Sequence, residues 1–117
     1  MSKVLILDDD EIRLECFKKN LIGHEVVCVT TAKETIDQLA NDSWDYVFLD
    51  HDLGGQIYVQ SGPGTGYEVA EWLRDNPDKK PKNIIIHSFN EPGRIKIQSV
   101  IPEAVICPGA WNKIVNK

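Results

Sequence analysis

Five short apolar runs punctuate the chain: Val4-Leu5-Ile6-Leu7, Val26-Val27-Cys28-Val29, Tyr46-Val47-Phe48-Leu49, Ile84-Ile85-Ile86 and Ala104-Val105-Ile106-Cys107. Each is continuous rather than alternating, the pattern of a strand covered on both faces in a parallel sheet. Between the runs the apolar positions fall at helical spacing: Leu14, Phe17 and Leu21, then Ala32, Ile36, Leu39 and Ala40, then Val69, Ala70 and Leu73. Thr31 followed by Glu34 is a capping-box pattern that starts the second helix. Pro77 disfavours helical geometry in the residue before it and stops the third near Asp75-Asn76. A short fourth helix is predicted from Pro92, burying Ile95 and Val100, and a last one after Pro108 has Trp111, Ile114 and Val115 to dock it.

Strands alternating with helices predict a doubly wound α/β sheet, because parallel neighbours need crossovers and these are nearly always right-handed. At 117 residues, 42% of them hydrophobic, the chain has material for one core, so residues 1–117 are read as a single domain. No apolar run reaches the roughly 18–20 residues needed to cross a bilayer, and the start of the chain lacks the pattern of an export signal, so the expectation is a cytoplasmic protein with no membrane association. Cys16, Cys28 and Cys107 are odd in number and form no C-x-x-C pair, which predicts no disulfide framework or zinc knuckle. A net charge of −5 excludes broad binding to a nucleic-acid backbone. A small phosphate-containing ligand or a nucleic-acid end stays open.

In doubly wound sheets ligands bind beyond the carboxyl ends of the strands. Here those ends run into Asp8-Asp9-Asp10, Asp50-His51-Asp52, His87-Ser88-Phe89-Asn90 and Cys107-Pro108. Two carboxylates ~4 Å apart repel by roughly 4 kcal/mol at an effective dielectric near 20, so either one keeps its proton or a hard divalent cation, Mg²⁺ or Mn²⁺, takes their oxygens. Ser88 and Asn90 are placed to cap the fourth helix, which is compatible with holding phosphate there, and Arg94 one turn on either grips phosphate or faces water. His24 stands alone before the second strand, and Trp44, Trp72 and Trp111 read as packing residues. Residues 54–66 hold five of the eight glycines and predict a loop beside the site; no Lys-Ser or Lys-Thr marks it as a P-loop.

These strand ends resemble the receiver domains of response regulators. Lys3-Val4-Leu5-Ile6-Leu7-Asp8-Asp9 is similar to their first strand and acid pair, Val47-Phe48-Leu49-Asp50 to the strand ending in the phospho-accepting aspartate, and Ser88 to the switch hydroxyl. The resemblance implies the flavodoxin-like strand order 2-1-3-4-5, metal at Asp8, Asp9 and Asp50, a cis Cys107–Pro108 bond, and a surface on the last helix and fifth strand used for homodimers. The family's lysine is replaced by Cys107, while His51 and His87 are added. Leu-Asp-Asp-Asp with Arg13, Leu-Asp-His-Asp-Leu-Gly and His-Ser-x-Asn-x-x-Gly-Arg resemble a divergent receiver group proposed to process cyclic phosphates in phage and bacterial RNA repair.

That resemblance implies a metal-dependent phosphoesterase with Asp50, His51 and His87 as catalytic groups. Ser88, Asn90 and Arg94 would hold phosphate, with Asp10, Arg13 and Asp52 in support. Three alternatives stand beside it: a non-catalytic pseudo-receiver that binds a protein or sequesters a nucleotide, a phospho-accepting receiver working without lysine, and, from Asp50-x-Asp52, a haloacid-dehalogenase-type phosphatase.

Overall fold

The computed structural model describes residues 2–53 and 62–109. Strands β1 (Lys3–Leu7), β2 (Glu25–Val29), β3 (Tyr46–Leu49), β4 (Asn83–Ile86) and β5 (Val105–Ile106) form one parallel sheet of order β2-β1-β3-β4-β5. Helices α1 (Glu11–Asn20), α2 (Ala32–Asn41), α3 (Gly66–Asp75) and α4 (Glu91–Val100) alternate with the strands. The expected doubly wound α/β architecture is therefore present. Residues 54–61 of the glycine-rich loop, and the last helix expected around Trp111, Ile114 and Val115, lie outside the described residues.

The continuous apolar runs follow from covering both sides of the sheet. Val4, Ile6 and Phe48 face α1 and pack on Leu14, Phe17 and Leu21. Leu5, Leu7, Val47, Leu49, Ile84 and Ile86 face the other way and join Leu39, Val69, Leu73 and Ile97 from α2, α3 and α4. Burial on both faces fails at the two edges: Val26, Val27 and Cys28 are half-buried and Val105 is exposed, because β2 and β5 each have a neighbour on one side only.

Helix ends are fixed locally as the sequence predicts. Asp10 caps α1 by accepting from the Ile12 and Arg13 amides, and Thr31 caps α2 by accepting from Glu34 N–H while Glu34 accepts from Thr30 N–H and Thr31 Oγ1. α3 ends at Asp75, with Asn76 outside the helical region before Pro77. Two inward-facing expectations need correction. In α2 Ala40 is exposed and Thr35 is buried instead, its hydroxyl bonded to Thr31 O.

In α4 Ile95 is 57% exposed and Val100 only half-buried; the inner stripe is Gly93, Ile97 and Ile101. That stripe is set by the absence of a side chain at Gly93, which lets the first turn lie directly on the His51 ring. Ile97→Ala is expected to cost about 2–5 kcal/mol in urea unfolding, while Ile95→Ala stays within about 0.5 kcal/mol.

The Cys107–Pro108 bond is trans, since no cis peptide occurs among the described residues. The tertiary amide prefers trans by only about 0.5–1 kcal/mol, so the isomer follows the local path of the chain. Here β5 ends at Ile106, and Gly109 turns the chain away at a φ of +77°. Among the described residues no helix is long and apolar enough to cross a membrane.

Candidate functional site

The site is built by the sheet's register. Leu7, Leu49, Ile86 and Ile106 stand level across β1, β3, β4 and β5. The next residue of each strand continues the ladder: Asp50 N–H donates to Leu7 O, His87 N–H to Leu49 O and Cys107 N–H to Ile86 O. Asp8, Asp50, His87 and Cys107 thus form one row across the carboxyl ends. Asp8, Asp50 and His87 are all buried and offer ligand atoms within 4.8 Å of one another. His24 lies at the opposite end of the strands, accepting from Ser2 N–H.

Arg13 reaches into this row from α1. Its Nε and Nη2 each lie 2.8 Å from one oxygen of Asp8, a two-pronged grip, and Nη2 is also 3.4 Å from Asp50 Oδ2. Nη1 stands 3.5 Å from Asp10 Oδ2, and Asp9 Oδ1 is 4.0 Å from Nη2. His87 Nε2 lies 2.9 Å from Asp8 Oδ2, and its ring sits edge-on to Phe17 and tilted against Phe48.

Burial raises the Asp8 carboxyl, but the bonds from His87 and Arg13 outweigh it and hold the group well below the usual carboxylate range. Arg13 is held above its ordinary value, first by Asp8. Asp50 moves the other way: burial, then the Asp8 charge, push it up to about 7 despite Arg13. Burial lowers His87 even against the pull of Asp8, so its neutral ring donates Nε2–H to that carboxylate.

His51 does not join this group through any described contact. Successive strand-end residues alternate in direction, and its ring lies on the α4 side, under Gly93, whereas His87 lies on the α1 side. His51 Nδ1 is 2.8 Å from Asp52 Oδ1, and Asn90 Nδ2 donates to the same oxygen at 2.9 Å. A carboxylate oxygen accepts, so Nδ1 carries the proton.

Asn90 caps α4 by accepting from Gly93 N–H, and its backbone N–H donates to Ser88 Oγ. Arg94 Nη1 donates to the Ser88 carbonyl at 3.4 Å, and its buried Nε has no hydrogen-bond partner among the described residues. The residues expected at one point from sequence therefore divide into Asp8-Arg13-Asp50-His87 and His51-Asp52-Asn90, joined by the peptide between Asp50 and His51.

The central part of Arg13 was not foreseen. The sequence signals were the family motif, which placed Arg13 in support, and its position three residues past a helix cap, from which a side chain can turn back on the strand end. Two close approaches were likewise hidden. A Cβ on Gly66 would strike the Asp50 carbonyl oxygen, and one on Gly93 would lie 2.5 Å from His51 Cγ.

The carboxylate pair Asp8 and Asp50 suits a hard divalent cation, with His87 bonded to Asp8 beside it and Asp9 at the rim. Arg13 already neutralises the carboxylates, so an ion would enter against it.

Residues 3–103 match the model of the cyclic-phosphate processing receiver domain. The fold is similar to that of the response regulator TrrA of Thermotoga maritima, solved with Mg²⁺-BeF: 22% identity over 97% of this chain and 92% of that one, TM-score 0.70. It is similar also to the chemotaxis regulator CheY4 of Vibrio cholerae, at 18% identity over 93% and 87%, TM-score 0.72. The Mn²⁺-bound form of the response regulator Rcp1 matches at 16% identity over 91% and 78%, TM-score 0.69. No curated protein sequence matches the chain.

Proposed function

Because this chain belongs to the cyclic-phosphate processing receiver domains, we propose that it is a metal-dependent phosphoesterase that opens a cyclic phosphate on a nucleotide or an RNA end. The observation that carries this reading is the pairing of a buried carboxylate cluster with an adjacent, separately oriented His51–Asp52 dyad. Asp8 and Asp50 are the residues that would hold Mg²⁺ or Mn²⁺, with His87 keeping Asp8 in place and Asp9 at the rim. When bound, such an ion polarises a phosphoryl oxygen.

His51, its Nδ1–H fixed by Asp52, takes the proton that an attacking water gives up; the leaving ring oxygen receives a proton, and the product is a phosphomonoester. His87, its Nε2–H committed to Asp8, is better suited to holding that carboxylate than to the catalytic role expected from sequence. Ser88 and Arg94 are the remaining candidates for the phosphate oxygens, since Asn90 is engaged in capping and in orienting Asp52.

Beside Asp9 opens a cleft of 560 Å³ lined by Thr30, Lys33, Leu53 and Glu68. Its size falls in the range of small-molecule sites, which supports a substrate with an organic part larger than the phosphate itself.

The loss of the family lysine to Cys107 weakens the alternative of a phospho-accepting receiver, because no fixed cation stands on β5 to pair with a phosphoryl group. The test is a panel of nucleoside 2′,3′-cyclic phosphates and cyclic dinucleotides with Mg²⁺ or Mn²⁺, resolved by chromatography. Metal-dependent monoester product is expected, with kcat lowered about a hundredfold in His51→Ala. Tight one-to-one binding in calorimetry with no product would instead establish a pseudo-receiver.

A further inference from the structure

We propose that Arg13 is a tethered counter-cation in the seat of the divalent ion, so that metal and guanidinium compete for Asp8, and metal entry turns Arg13 out toward Asp9 and Asp10. The inference rests on the metal reading above and assigns a role to a residue that reading does not use.

Each oxygen of Asp8 already receives two donors. Oδ1 takes Arg13 Nη2 and the Asp10 amide; Oδ2 takes Arg13 Nε and His87 Nε2, all within 2.8–2.9 Å. A cation that ligates Asp8 must displace at least one of them. The Asp10 amide is backbone at the start of α1, and the His87 ring is fully buried against Phe17 and Phe48. Arg13 alone of the three is a long side chain with solvent access, 27% exposed.

Its exit is prepared. Nη1 is already 3.5 Å from Asp10 Oδ2, a group 40% exposed, and Asp9 Oδ1 stands 4.0 Å from Nη2. A rotation about the outer bonds of the side chain exchanges two buried carboxylates for two rim carboxylates without moving α1. The same Nη2 also contacts Asp50 at 3.4 Å, so one departure frees both ligands together. The guanidinium thereby screens the Asp8–Asp50 repulsion when no ion is bound, and it sets how much ion is needed to open the site.

The test is Mn²⁺ affinity, read by electron paramagnetic resonance and calorimetry on the full chain, for the parent, Arg13→Met, Arg13→Lys and Asp50→Asn. Arg13→Met is expected to bind Mn²⁺ at least tenfold more tightly. Arg13→Lys, which cannot fork onto both oxygens, should show a smaller gain, and Asp50→Asn should bind at least tenfold more weakly.

In the parent, the Arg13 Nε–H signal should be slow to exchange by NMR and should shift or vanish as Mg²⁺ is added, with the midpoint of binding. This measurement needs no variant to fold. Mn²⁺ binding that depends on Asp50 yet is unchanged or weaker in Arg13→Met overturns the competition and leaves the metal site standing, as does an Arg13 signal indifferent to saturating Mg²⁺. Mn²⁺ binding that ignores Asp50→Asn overturns the metal reading and this inference with it.

Discussion

Asp50→Asn is expected to make the metal-free protein more stable at pH 8 while reducing cyclic-phosphate hydrolysis by a thousandfold or more. In the folded chain Asp50 titrates near 7 against an ordinary value of 3.8, first because it is buried and second because Asp8 is charged beside it. A carboxyl whose folded pKa is raised binds more protons folded than unfolded between about pH 4 and pH 7. Stability therefore falls as pH rises through that window, and the whole penalty is present above it. Roughly three units at 1.36 kcal/mol each give about 4 kcal/mol as the ceiling.

Asparagine has nearly the same shape, keeps a carbonyl oxygen for Arg13 Nη2 and carries no charge to desolvate. A gain of about 2–4 kcal/mol, or about 10 °C in Tm for a chain of this size, is expected at pH 8. Below about pH 4, where Asp50 holds its proton in the folded and the unfolded chain alike, the two proteins should converge. Mg²⁺ should raise the Tm of the parent and not that of the variant. Equal Tm values at pH 8 would mean that Asp50 carries no electrostatic strain, and with that the main argument for a cation at the strand ends would be gone.

Strand register and local capping explain what could be read from the chain in advance. Continuous runs at β1, β3 and β4 announced strands covered on both faces, and the polar residue closing each run marked Asp8, Asp50 and His87, because register in a parallel sheet brings strand ends level. Helix caps were legible for a similar reason: Thr31 and Glu34 act on their own neighbours.

What spacing could not give was anything decided by a third element. Ile95 and Ile97 are equally apolar, and the choice between them was made by Gly93 meeting His51 from another part of the chain. His51 and His87 both belong to strand ends, yet they point to opposite faces, one to Asp52 and one to Asp8. Arg13 was expected only in support of the site; its fork on Asp8 is set by the fold.

Gly93→Ala is expected to destabilise the protein and to lower kcat about a hundredfold, although alanine is by far the better helix former. Gly93 lies in the first turn of α4, where replacing glycine would ordinarily gain about 1 kcal/mol or less. Against that, the added methyl carbon would stand 2.5 Å from His51 Cγ and 2.8 Å from Nδ1. The ring cannot retreat freely, being fully buried and bonded to Asp52. Overpacking of this kind costs about 1–3 kcal/mol, so the clash outweighs the propensity gain and the net loss in urea unfolding should be about 1–2 kcal/mol.

The activity loss has a separate origin. A shift of about 1 Å in a group that moves a proton costs on the order of a hundredfold. The double variant His51→Ala/Gly93→Ala tells the causes apart. With the imidazole gone the methyl has room, so the double variant should be more stable than the sum of the single changes implies, with a coupling of about 1–2 kcal/mol. Strict additivity would show that Gly93 and His51 do not press on each other, and the positioning of the dyad by α4 would have to be abandoned.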